Sequence, residues 1–370
     1  MILLGAVVLV GCVLTAQRPA TPERLTLPDG GGALVVGDMN GDHREDIVVG
    51  RLNAVTTYLG DGRGGFDRAA GSLFAAGDNP NDLALGDFDE DGRLDIAVAN
   101  HETSYVTVLL GDGRGRLAPP VRIPVPSRPH PHGIATADFD ADGHPDLAVE
   151  SWMEDTVLVL AGNGSGAFAG GPRRLTVGRR PYHKLRAGDL DADGRDDLVT
   201  TNGDGSSVSV LCTNGTGALQ PAREIGVLRS PFSVAIGDLN GDRRPDLAVA
   251  HRYGAVDPNL DWLTVLVGRG DCVFAPSPES PLKPGASPTA VAIGDYDGDG
   301  IGDVATANMG SDDVSLFLGS PSGLRRATGF PIAVGRGPLA IVLRDLNGDG
   351  KADIVTGNGA SGDVSVVLTP

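Results

Sequence analysis

A nine-residue pattern rich in aspartate occurs seven times in this chain: DMNGDHRED from Asp38, DFDEDGRLD from Asp87, DFDADGHPD from Asp138, DLDADGRDD from Asp189, DLNGDRRPD from Asp238, DYDGDGIGD from Asp295 and DLNGDGKAD from Asp345. Successive starts are 49, 51, 51, 49, 57 and 50 residues apart. A period of this length makes each repeat one supersecondary unit that must stack on its neighbours. A short apolar run such as "VAIGD" precedes each copy, and another such as "DIAVAN" follows it. An alternating stretch ("VTVLLGDG") and a looser, proline-bearing segment ("LAPPVRIPVP") complete the unit. Short β-prone runs separated by Gly, Asn and Asp turns read as strands, and no segment sustains a helical period. The predicted fold is therefore all-β: a seven-bladed β-propeller of four-stranded antiparallel blades, strands A to D from the axis outward. The last repeat stops after its third strand, "DVSVVLTP", while "ERLTLPD" near the N-terminus has no partner of its own. That segment is predicted to supply the missing outer strand and close the ring, which removes an open edge. Residues 21–370 then form a single domain.

The pattern carries its own chemistry. At about 5 Å and an effective dielectric near 20, two carboxylates repel by roughly 3 kcal/mol, so four in one tight turn call for a cation. Positions 1, 3, 5 and 9 supply the oxygens: Asp38, Asn40, Asp42 and Asp46; Asp87, Asp89, Asp91 and Asp95; Asp138, Asp140, Asp142 and Asp146; Asp189, Asp191, Asp193 and Asp197; Asp238, Asn240, Asp242 and Asp246; Asp295, Asp297, Asp299 and Asp303; Asp345, Asn347, Asp349 and Asp353. With a backbone carbonyl at position 7 this resembles the cage of an EF-hand loop, but strands flank it and position 12 is apolar (Val98 and Val249). An all-oxygen, flexible, carboxylate-rich cage selects Ca²⁺, up to seven ions in all, acting as structural clips on the A–B hairpins. Glycine at position 6 suits the sharp turn, and the strained backbone where His43 and Arg243 replace it is expected to weaken binding in blades 1 and 5 by about 1 kcal/mol. The chain has a formal charge of −18 and 48 acidic residues. More than half of these are loop ligands, so the acidity is coordination chemistry; it also argues against nucleic acid as a partner.

Taken together, the seven loops resemble the FG-GAP/VCBS repeats of the integrin α N-terminal propeller and its bacterial relatives. The resemblance covers nearly all of residues 21–370. It implies structural calcium and an extracellular, non-catalytic binding or adhesion module for a glycan or a protein. Some members are lectins or parts of polysaccharide lyases, so a polysaccharide-active enzyme and a structural unit of a larger surface assembly stand as alternatives.

If the A–B loops share one face, the B–C and D–A loops share the other. Six residues before each first aspartate the column reads Gly32, Asn81, His132, His183, Phe232, Thr289 and Leu339. Five residues after each last aspartate it reads Arg51, Asn100, Ser151, Asn202, His251, Asn308 and Asn358, where the recurrent Asn is expected to hold the B–C turn. Departures concentrate in blades 2 to 5. The candidate ligand contacts are His101, His132, Glu150, Trp152, Tyr182, His183, Lys184, His251 and Tyr253, and His132 and His183 are expected to meet near the axis. Loop decoration, a binding surface and a catalytic or second-metal site with His132 or His183 are all compatible with these residues.

The first sixteen residues, MILLGAVVLVGCVLTA, carry no charge and are too short for a comfortable span of about 20 residues. Residues 1–20 therefore read as an export signal. Leu9-Val10-Gly11-Cys12 also resembles a lipobox, so Cys12 is a candidate lipid anchor and the one route to a membrane. The expected location is periplasmic, extracellular or cell-surface. Cys212 and Cys272 both fall on the calcium face, where a disulfide between blades could form. The "RGD" at Arg269–Asp271 and the "GDGRGG" at 60–65 read as hairpin turns rather than as adhesive or phosphate-binding motifs.

Overall fold

The structure is a computed structural model that describes residues 23–126, 130–168, 170–214, 216–252 and 261–370, with the side chains of Glu23 and His183 outside the description. The N-terminal segment with Cys12, and Tyr253 in the blade 5 insertion, lie outside the described residues.

Seven antiparallel sheets follow one another along the chain, six of them built from consecutive strands. Blade 3 shows the plan: Pro131–Ala137 is innermost, then Asp146–Ser151, Thr156–Leu160 and the outer Arg173–Thr176. The last blade contains Pro338–Arg344, Asp353–Asn358 and Asp363–Leu368, and its outer strand is Glu23–Pro28. That strand runs antiparallel to Asp363–Leu368, with Glu23 opposite Leu368 and Pro28 opposite Asp363. The predicted closure is thus present. Among the described residues no helix is long and apolar enough to cross a membrane, and the single helical turn is a 3-10 turn at Trp152–Glu154.

Burial grades outward within each blade. The second strands are buried throughout, as in Asp95–Asn100 and Asp303–Asn308, apart from the exposed Arg51 that ends that of blade 1. A strand packed on both faces reads as a continuous apolar run rather than an alternating one. Outer strands such as Val121–Pro124 are mostly exposed, which is why their sequences are loose and tolerate proline. The core lies between blades: Val48 and Val55 of blade 1 pack with Leu83, Ile96, Val98 and Leu109 of blade 2. The innermost strands surround a channel of about 520 Å³ whose lining residues are mostly aliphatic, with Arg186 and Arg344 among them.

Blade 4 departs from its neighbours. Five innermost strands begin with a proline seven residues before the first aspartate (Pro80, Pro131, Pro231, Pro288 and Pro338), but Pro181 precedes Asp189 by eight. Its bulge is accordingly wider, with Pro181 opposite Asn202 and Leu185 opposite Thr200, against Pro231 opposite His251 and Ser233 opposite Ala250 in blade 5. Bulges re-aim side chains. The residue of blade 4 that corresponds to His132 and Phe232 is consequently Tyr182.

Candidate functional site

Each aspartate loop is organised by its own carboxylates. In blade 6, Asp295 Oδ1 accepts the N–H groups of Gly298 (2.7 Å) and Asp299 (3.0 Å), and its Oδ2 that of Gly300 (2.8 Å). Asp299 Oδ1 accepts the N–H of Ile301 (2.8 Å). Asp303 Oδ2 accepts from Tyr296 (2.7 Å), and Oδ1 from Gly319 (2.8 Å) at the end of the third strand. The ninth-position carboxylates of all seven blades are fully buried: Asp46, Asp95, Asp146, Asp197, Asp246, Asp303 and Asp353. Each bonds the second residue of its loop and a residue at the end of the third strand or one or two positions beyond it, as Asp146 does with Phe139 and Gly162. Position 9 therefore pins three strand ends together besides facing the loop. Burial raises all seven carboxyls to about 6 against the pull of these hydrogen bonds.

The donor set fits a hard cation. In blades 2, 3 and 4, oxygens from positions 1, 3 and 9 lie within 4.8 Å of one another (Asp87, Asp89 and Asp95; Asp138, Asp140 and Asp146; Asp189, Asp191 and Asp197). Asp89 Oδ1 is buried with no hydrogen-bond partner among the described residues, which is costly for a carboxylate unless a cation or water meets it. Position 5 is less committed. The Oδ2 atoms of Asp42, Asp91 and Asp193 turn to Arg44, Arg93 and Arg195 at 3.8, 2.9 and 3.7 Å. His43 and Arg243 do adopt left-handed backbone, both at φ 64°. Position 4 does so as well, at Glu90, Ala141 and Ala192, a requirement the sequence pattern did not single out. Beside blade 4's loop, Cys212 and Cys272 form a disulfide between blades 4 and 5, with Cα atoms 6.6 Å apart.

On the opposite face, the residues that follow the innermost-strand prolines line up around the axis. The rings of His132 and Tyr182 are 4.4 Å apart, and those of Tyr182 and Phe232 5.4 Å. Trp152, lifted by the 3-10 turn after the second strand of blade 3, stands 6.2 Å from Tyr182. Between these rings lies a cleft of about 250 Å³ lined by Trp152, Arg180, Tyr182, Asp204, Phe232 and Arg252, with Ser230 and Pro231 at its side. Arg180 sits 4.8 Å over the Trp152 ring and pairs with Asp204 at 3.2 Å; Arg252 sits 4.9 Å over Phe232. Arg180, Asp204 and Ser230 were not singled out by sequence reasoning, and counting from the aspartates also hid the extra residue of blade 4. Counting from the prolines would have aligned Tyr182 with His132.

Several expected surface contacts are instead buried. Glu150 is 0% exposed; its carboxylate accepts a hydrogen bond from Thr200 and is pushed up to about 7, chiefly by burial. Lys184, 4% exposed, is ion-paired with Asp82, and desolvation lowers its pKa. His251 is also fully buried, with Nδ1 3.1 Å from the Arg229 carbonyl, and burial lowers its pKa to about 4. It occupies the column where Asn202 and Asn308 hold the B–C turn through Ser207, Ser209 and Ser315. These three groups support the face from beneath. The side chain of His183 lies outside the described residues; the described ring neighbours of His132 include His101, His130, Trp152 and Tyr182.

Comparison with curated proteins found no match. Several solved propellers are similar in fold. The RRP9 WD40 repeats align over 95% of this chain and 100% of theirs (TM-score 0.62, 13% identity). A catalytically inactive virginiamycin B lyase from Staphylococcus aureus, solved with quinupristin, aligns over 94% and 99% (0.58, 14%). An Agrocybe aegerita lectin that recognises non-reducing terminal N-acetylglucosamine aligns over 84% and 80% (0.54, 17%). At these identities the likeness is one of fold. The sequence match is more specific: the FG-GAP-like repeat family matches residues 38–98, 87–149, 189–249 and 297–356, more than half of the chain. The chain belongs to the FG-GAP-like repeat family and folds as a seven-bladed propeller.

Proposed function

We propose that this chain is an exported propeller, clipped by calcium on its aspartate-loop face, that binds a carbohydrate in the aromatic cleft between blades 3, 4 and 5. The cleft carries the reading. Its Trp152, Tyr182 and Phe232 rings offer flat apolar surfaces for the C–H face of a sugar, and Arg180, Asp204 and Arg252 offer donors and acceptors for its hydroxyls. Its volume of about 250 Å³ suits one or two sugar rings rather than an extended chain. The lectin among the structural neighbours is consistent with this use of a propeller, as is the burial of Glu150 and Lys184, which keeps them out of reach of a bound substrate. The Cys212–Cys272 disulfide supports an oxidising compartment.

Calcium, where bound, supplies charge neutralisation and cross-linking within each loop. Positions 1, 3 and 9 would hold it, while the carboxylates themselves fix the turn and the strand ends. Glycan-array screening followed by calorimetry tests the binding reading. Trp152→Ala and Arg180→Ala should each weaken binding at least about tenfold, the loss of one well-placed contact, with unchanged folding. Asp299→Asn on the far face should leave it unaltered. Binding that survives both cleft variants, or a protein ligand that binds where no glycan does, would overturn the assignment.

A further inference from the structure

Three histidines from two neighbouring blades converge beside the cleft. His101 follows the second strand of blade 2, and His130 and His132 flank Pro131 at the start of the innermost strand of blade 3. Nitrogens from all three rings lie within 4.8 Å of one another, and His101 Nε2 is 3.3 Å from His130 Nδ1. Ligands about 2.05 Å from a tetrahedral ion stand roughly 3.3–3.4 Å apart, so this pair already has ligand spacing. The ring centroids of His101 are 5.0 Å from those of His130 and 4.6 Å from those of His132. We propose that His101, His130 and His132 bind one divalent transition-metal ion, for which Zn²⁺ is the reference, leaving a fourth position open to solvent.

Further features of the cluster fit this use. His132 is 3% exposed and forms a floor, whereas His101 and His130 are half-buried at the rim, so the open side faces outward. His130 holds φ at 125°, a strained backbone for a residue with a side chain; strain of this kind persists where the surroundings enforce it, often at ligand sites. His101 Nδ1 is 3.1 Å from the Asn79 amide nitrogen, and a half-turn of that amide brings its carbonyl oxygen to the same place. With the amide carbonyl turned to Nδ1–H, the Nε2 lone pair points into the cluster, an outer contact of the kind that fixes the tautomer of a metal-bound histidine. Imidazole donors suit zinc, copper and nickel, while calcium and magnesium prefer oxygen, so this site and the aspartate loops divide cations by chemistry. The chain's negative charge favours cation arrival at both. The first ligand is 29 residues from the second, as His101 is from His130, which is why no compact metal motif marks the sequence.

The test uses the full folded chain in saturating Ca²⁺, which fills the aspartate loops, after dialysis against a zinc-selective chelator. Zn²⁺ titration should then show about one saturable site per chain, and Co²⁺ should give the visible bands of a tetrahedral nitrogen-ligated ion. Cu²⁺ should quench Trp152 fluorescence, since that ring is 5.2 Å from His130. His101→Gln combined with His130→Ala, both at the rim, should abolish the Co²⁺ bands and weaken Zn²⁺ by more than about 100-fold with the fold retained; Asn79→Ala should weaken it by about 10–100-fold. His132→Ala should act like the double variant, and if it fails to fold, the rim variants decide. Absence of saturable Zn²⁺ binding in the calcium-loaded wild type, or equal affinity in the rim double variant, would overturn the proposal.

Discussion

The two faces of this propeller are built on opposite plans. On one, the same nine-residue loop recurs seven times with a buried carboxylate at its end, and differences between blades are small. On the other, no two blades agree: blade 2 contributes His101, blade 3 two histidines and Trp152, blade 4 a widened bulge with Tyr182, and blade 5 Phe232 and Arg252. The recurring face solves a problem common to every blade, the tying of strand ends in a sheet with little edge support. The varied face is free to vary because the strands beneath are already fixed, which is where binding residues are expected on a rigid scaffold.

Substitutions sharpen this contrast, beginning with the largest. Asp303→Ala removes the acceptor of the Tyr296, Asp297 and Gly319 N–H groups, and stranding buried donors should cost about 3–5 kcal/mol. Trp152→Ala on the varied face should cost far less while removing binding, so comparable losses in denaturant titrations would erase the distinction drawn between the faces. Next comes the disulfide, whose cysteines are 60 residues apart. Cys212→Ser should lower stability by up to about 4 kcal/mol on loop-entropy grounds, and a melt insensitive to it and to reductant would show that the bond contributes nothing.

Glu150 gives a pH-dependent effect. Burial lifts its carboxyl to about 7 from an ordinary 4.5, so the folded chain keeps this proton longer than the unfolded chain does. Its contribution is whole below pH 4.5 and is lost as pH rises toward 7, at no more than about 1.4 kcal/mol per pH unit. Glu150→Gln cannot ionise and should gain on the wild type by about 1–3 kcal/mol across that interval; a constant difference at all pH values would refute it. The smallest effect belongs to His43→Gly and Arg243→Gly. Relieving φ 64° in a loop of the recurring face should stabilise each by about 1 kcal/mol, measured as a raised midpoint in chelator-free buffer, whereas equal or lower stability would deny that these turns are strained.

The fold was legible from the loops alone because each aspartate cluster marks one hairpin and the intervals leave room for four strands. Ring closure by residues 23–28 was legible from an unmatched strand near the N-terminus and a last repeat one strand short. The varied face was harder for a geometric reason. Counting back from Asp189 places His183 in register with His132, but the extra residue after Pro181 shifts blade 4 and brings Tyr182 there. Burial was equally hidden: Glu150 and Lys184 are polar residues in loop-proximal positions, and only the packing of blades 2, 3 and 4 shows them sealed beneath the surface with Asp82 and Thr200. The convergence of His101 on His130 depends on neighbouring blades and leaves no local spacing to read.

The most direct test of the account is the calcium content of the chain purified without chelator, measured by mass spectrometry beside its melting temperature before and after calcium removal. The expectation is close to seven calcium ions per chain, one for each repeat of the aspartate pattern, and a marked fall in melting temperature when they are withdrawn. Little or no bound calcium, with a melting temperature indifferent to chelator, would contradict it and leave the loops held by their own hydrogen bonds.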